Sequence, residues 1–170
     1  MTRFEELCAS YASARKKFFN YEDECMQFGV KMVDGLVEYL ECPPKQVNYY
    51  PPDKESDPNV SYNIHGATVL GEDGFWHVGI GIGLYEAPNV RPQENVRSRL
   101  LIKKDDSYFI VKYGKESKDE FRICEDKEED LEKFYDHVFE EIKELYDKQL
   151  ENMKRGAEFA SDHDDLRYIQ

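Results

Sequence analysis

A chain of 170 residues with a formal net charge of −13 is sized for one domain with a real core, and its field repels phosphate backbones, which excludes ordinary nucleic-acid binding over the whole surface. The 14% aromatic share excludes global disorder, and no apolar run approaches a membrane span. The same charge favours solubility and basic partners, and would also suit an acidic mimic of DNA.

In chain order, Phe4, Leu7, Cys8, Tyr11, Ala14 and Phe18 recur at three and four and predict a helix over 3–19. Asn20, with Asp23 in the capping-box position, predicts the start of a second helix through Leu40, with Phe28, Met32, Val33, Leu36 and Val37 on its apolar face. No Gly or Pro separates the two, so a single continuous helix is the alternative. Pro43-Pro44 ends the pattern.

The middle of the chain reads as β. A short strand over 46–50 precedes Pro51-Pro52, and 59–70 with 75–85 form a hairpin around Gly71-Glu72-Asp73-Gly74. Two registers are open. A two-residue loop places His65 with Trp76, Val78 and Ile80; a three-residue loop with Gly74 in the left-handed position places Tyr62, Ile64 and Leu70 there. The second joins apolar to apolar and is preferred. Residues 96–104 and 107–113 form another hairpin, 119–123 a short strand, and 86–95 a long loop.

A final helix is predicted from Asp126, with Glu129 completing a capping box and Leu131, Phe134, Tyr135, Val138, Ile142, Leu145 and Tyr146 as its stripe. It should run past Met153 and fray by Gly156. The fold class is therefore α+β: an antiparallel sheet of five to six strands against two N-terminal helices and one long C-terminal helix, in an order reminiscent of helix-grip folds. Residues 1–159 form one domain and 160–170 a flexible acidic tail.

The segment Trp76–Leu84 alternates large side chains with Gly79, Gly81 and Gly83. Glycine inside a strand packs nothing, so something else must lie close over that face: a backbone or large side chain, which is the leading account, or a ligand. In the preferred register Ser61, Asn63, His65 and His77 share the glycine face, His65 opposite Gly81 and His77 opposite Val69. A following strand brings Arg97 and Arg99 to the same side. Asn63, His65, His77, Gly79, Gly81, Gly83, Arg97 and Arg99 are thus the candidate ligand-binding set, suited to a small anion or flat polar molecule.

The four cysteines, Cys8, Cys25, Cys42 and Cys124, form no C-x-x-C pair and have no His at ligand spacing, so no metal or cofactor is expected. The opening Met1-Thr-Arg-Phe-Glu-Glu-Leu lacks an apolar signal core, and the expected location is cytoplasmic with reduced thiols. Residues 91–118 are rich in Arg and Lys while the last helix is acidic, a polarity that steers protein association and permits a homodimer. The leading functional expectation is a non-catalytic protein-binding module (adaptor, inhibitor, immunity-like or chaperone-like) acting through an acidic helical surface on a basic partner. The alternatives are a small-ligand-binding domain floored by the glycine strand, and a hydrolase or transferase using His65 or His77 as base. No carboxylate, Ser or Cys is tied to either histidine by sequence, so no catalytic residue is assigned.

Overall fold

The computed structural model describes residues 1–91, 93–155 and the backbone of 167–169. One helix, α1 (Arg3–Tyr39), occupies the whole N-terminal region. It spans about 55 Å at 1.5 Å per residue. Asn20 is interior to it, and the helix is capped instead at Thr2, whose hydroxyl accepts from the Glu5 N–H while the Glu5 carboxylate accepts from the Thr2 N–H. With no Gly or Pro near residue 20, nothing breaks the ladder there, and two helices become one.

The strands that follow are β1 (Val47–Tyr49), β2 (Thr68–Leu70), β3 (Trp76–Tyr85), β4 (Gln93–Asp105), β5 (Tyr108–Tyr113) and β6 (Phe121–Ile123). They form an antiparallel sheet in the order β1-β3-β4-β5-β6, with β2 also paired to β3. Helices α2 (Glu128–Asp147) and α3 (Gln149–Arg155) follow. A last strand, β7 (Arg167–Ile169), pairs with Glu94–Val96 of β4. The rest of the expected 160–170 tail, and the expected fraying near Gly156, lie outside the described residues. No helix among the described residues is long and apolar enough to cross a membrane.

The fold class is α+β, with an antiparallel sheet and helices on one face. The second half of α1 and α2 lie side by side on that face. Cys25, Phe28, Met32 and Leu36 from α1 join Phe134, Tyr135 and Val138 from α2 over Val78, Ile80, Leu100, Ile102 and Val111 of the sheet. Phe28 stacks on Phe109 at 3.8 Å, and the Tyr135 hydroxyl donates to Met32 O at 3.1 Å.

The β2–β3 hairpin adopts the three-residue-loop register: Val69 faces His77, Leu70 faces Trp76, and Gly74 has φ of +80°. The strand expected over 59–70, however, survives only from Thr68. Residues His65–Ala67 form a 3-10 turn, held by Asn63 Oδ1 accepting from the Gly66 N–H and by the Thr68 hydroxyl donating to Ile64 O. Such side-chain-to-backbone bonds compete directly with a ladder. β1 takes the vacated place beside β3, Asn48 facing Gly81. The expected 86–95 loop is also shorter, because Gln93–Asn95 pair with Tyr85–Gly83. At α2, Lys127 stands at the N-cap and makes no side-chain cap; the Asp130 carboxylate instead accepts from the Cys124 N–H at 3.1 Å. The long C-terminal helix is interrupted at Lys148, between α2 and α3.

Candidate functional site

The β3–β4 register sets Gly79 beside Arg99, Gly81 beside Arg97 and Gly83 beside Asn95, so the two arginines do share the glycine face. That face is covered by the chain itself. From Gln46 to Asp53 the backbone runs along the edge of β3 and folds over the glycines: the Tyr50 N–H donates to Gly79 O at 2.9 Å and the Gly83 N–H to Gln46 O at 2.7 Å. A Cβ added at Gly79 would collide with the Tyr50 carbonyl oxygen. One at Gly81 would lie 2.5 Å from the Tyr50 ring and 2.8 Å from Asn95 Oδ1. The missing side chains make room for a strap of main chain and one tyrosine ring.

The polar groups of this face hold the strap. Asn95 Nδ2 donates to the Tyr50 hydroxyl at 2.9 Å, and the Arg97 guanidinium stacks on the Tyr50 ring at 3.9 Å. Arg99 is only 5% exposed; it donates to Pro52 O at 2.9 Å and pairs with Asp53 at 3.1 Å. His77, also buried, has Nε2 2.9 Å from the Asp73 carboxylate and Nδ1 3.5 Å from Arg99 Nη1. Both ring nitrogens thus face protein groups. Asn63 and His65 are exposed and sit at the 3-10 turn, away from this face, because the chain leaves the ladder before reaching them. An open cleft of about 1050 Å³ lies alongside, between the 48–62 segment and the β3–β4 positions Gly79 and Arg97. No cluster of three or more His, Cys, Asp or Glu able to hold a metal occurs among the described residues.

Sequence reasoning missed Tyr50, Pro52, Asp53 and Asp73 as partners of this layer. Only Asp73 carried a signal, being four residues from His77 across a tight turn. Burial by itself would raise the Asp73 pKa, but hydrogen bonds from His77 and the Phe75 N–H outweigh it and hold the carboxyl below the usual carboxylate range. A depressed folded-state pKa stabilises the fold above the unfolded value and loses that contribution as pH falls through the folded one. Asp73→Asn is therefore expected to flatten the loss of stability below about pH 4, relative to the parent protein, in denaturant titrations at stepped pH.

A second feature stands apart from the sheet. Phe4, Leu7, Tyr11, Ala14, Phe18, Tyr21, Cys25, Phe28 and Met32 follow one unbroken three-four spacing along α1. From Cys25 onward this seam is sealed against the sheet and α2. Every residue from Met1 to Asn20 is exposed, including Phe4 (73%), Leu7 (69%) and Tyr11 (63%). The contact of Phe18 with Trp76, 6.2 Å between ring centroids, marks where the helix leaves the body. Cys8, one of the apolar helical positions of the predicted 3–19 stripe, is exposed with the rest. On α2, Glu128, Glu129, Glu132, Asp136, Glu140, Glu144 and Asp147 are exposed against Lys133 and Lys143, an acidic outer face.

No protein-family model, no curated protein and no solved structure matches the chain.

Proposed function

We propose that the protein is a non-catalytic protein-binding module, an adaptor, inhibitor or chaperone-like partner that works through its helices. The observation that carries this reading is the uncovered first half of α1. An isolated helix of under twenty residues is marginal in water, and a row of exposed Phe, Leu and Tyr side chains on one is a docking surface in want of a partner. The acidic outer face of α2 supplies a field that draws basic surfaces. The polar layer over the glycines supports the reading from the other side, since Asn95, Arg97 and Arg99 hold the 46–53 strap and His77 is turned to Asp73 and Arg99.

The test compares proteins retained from host lysate by the immobilised parent chain and by two variants, Leu7→Asp and Glu132→Lys/Glu140→Lys. Leu7→Asp should lose the partner while shifting folding stability by no more than about 0.5 kcal/mol, since Leu7 is 69% exposed. The α2 variant should weaken retention chiefly at low salt, because surface charge is screened within about 10 Å at 0.1 M ionic strength. Unchanged retention by both variants sinks the proposal.

A further inference from the structure

We propose that the corner where α2 runs on past the end of α1 is a binding site for a small, uncharged aromatic molecule. The two helices run in the same direction over the sheet: Lys31 pairs with Glu125 just ahead of α2, and the Tyr39 hydroxyl donates to the Asp136 carboxylate. α1 stops at Tyr39, whereas α2 continues from Asp136 for about 16 Å to Asp147. The β1 edge gives out at the same level, with Val47 facing Ile82, and beyond it the Gly83 N–H is met by the carbonyl of Gln46. The chain turns sharply under the helix end, where the Cys42 N–H donates to Val37 O at 3.1 Å and Glu41 has φ of +50°. Helix, strand and turn leave a cavity of about 350 Å³ between them, at the low end of the range for small-molecule sites.

The walls define the ligand. Leu40, Ile82 and Ile142 supply aliphatic surface, and Tyr85, Phe139 and Tyr146 supply rings, which favour a flat aromatic partner by stacked and edge contacts. Phe139 is 41% exposed at this corner, while Val138 and Ile142 beside it are buried. Of the polar lining groups, the Gln46 amide is committed to Gly83 O at 2.8 Å, and burial pushes the Cys42 thiol up, which keeps it neutral near pH 7. No carboxylate among the described residues lines the cavity, so a cation would leave water without a counter-charge. The one lining cation among them, Lys143, pairs with Asp147 at 3.3 Å, and the acidic outer face of α2 repels an anion. An uncharged ligand meets neither penalty.

Indole, uncharged, aromatic and soluble, is the probe, titrated into the full chain by calorimetry. The expected result is saturable binding at one site with a Kd on the order of 100 µM. Leu7→Asp should leave it unchanged, and Cys42→Phe, whose ring takes up the cavity, should weaken it at least tenfold. In parallel, alkylation of the parent protein by iodoacetamide at mildly alkaline pH is followed by mass spectrometry at Cys42 and at the exposed Cys8. Indole at about five times its Kd should slow Cys42 roughly fivefold and leave Cys8 unchanged. That readout stands even if Cys42→Phe fails to fold. Absence of binding overturns the inference, as does a folded Cys42→Phe that binds like the parent. Binding that Leu7→Asp abolishes places the probe on α1 and also overturns it, as does Cys42 alkylation that indole leaves unaltered or slows no more than at Cys8.

Discussion

Gly79→Ala is expected to cost about 3 kcal/mol in urea unfolding, Gly81→Ala about 1–2, and Gly83→Ala less than about 1. The order follows from what each new methyl would meet. At Gly79 it is the Tyr50 carbonyl, a main-chain atom pinned by the adjacent bond from the Tyr50 N–H to Gly79 O. Backbone cannot yield without unzipping the β1 edge. At Gly81 it is the Tyr50 ring and the Asn95 amide, side chains that can shift by a few tenths of an ångström at the expense of their mutual hydrogen bond. At Gly83 the nearest atom is Gln46 Nε2 at 3.5 Å, an ordinary contact. Equal and small losses at all three would mean that the strap lifts easily and that the strand beneath is accessible as a ligand floor.

What was legible in the sequence was what local pattern dictates. The β2–β3 register is set by Gly74, whose positive φ suits a three-residue loop, and by pairing Leu70 with Trp76 rather than with a polar residue. The core face of α2 follows from its spacing alone: Phe134, Tyr135, Val138, Ile142 and Leu145 are all buried. Arg97 and Arg99 reach the glycine face because alternation along β4 leaves no other choice.

The identity of what covers that face was not legible. Tyr50 meets Asn95 across 45 residues, and nothing near either announces the other. His65 was misplaced because alternation predicts a strand wherever it runs, whereas Asn63 and Thr68 spend their side chains on a turn. The uncovered half of α1 shows the same limit from another direction. A three-four spacing tells which side of a helix is apolar, and Phe4 and Phe28 obey it equally. Only the end of the sheet at Trp76 determines that one of them is sealed and the other is not.

Replacing Arg99 tests whether the strap is held by charge or by directed hydrogen bonds. Arg99→Ala is expected to cost about 3 kcal/mol, because it removes the donor to Pro52 O, the contact with His77 and the packing of a side chain that is 6% exposed. Asp53→Asn should cost less than about 1 kcal/mol: its carboxylate pairs with Arg99 at 3.1 Å but is 56% exposed, so water and salt already screen the attraction. Arg99→Lys should recover little, since a single ammonium cannot serve Pro52 O, Asp53 and His77 from one fork. The three variants, measured by urea unfolding, separate two accounts of the same arginine. A large loss at Arg99 with a small one at Asp53 makes the guanidinium a strut that fixes the turn at Pro52 and so keeps Tyr50 over Gly81. Equal losses at the two positions would move the weight to the ion pair, and the strap would then loosen with added salt.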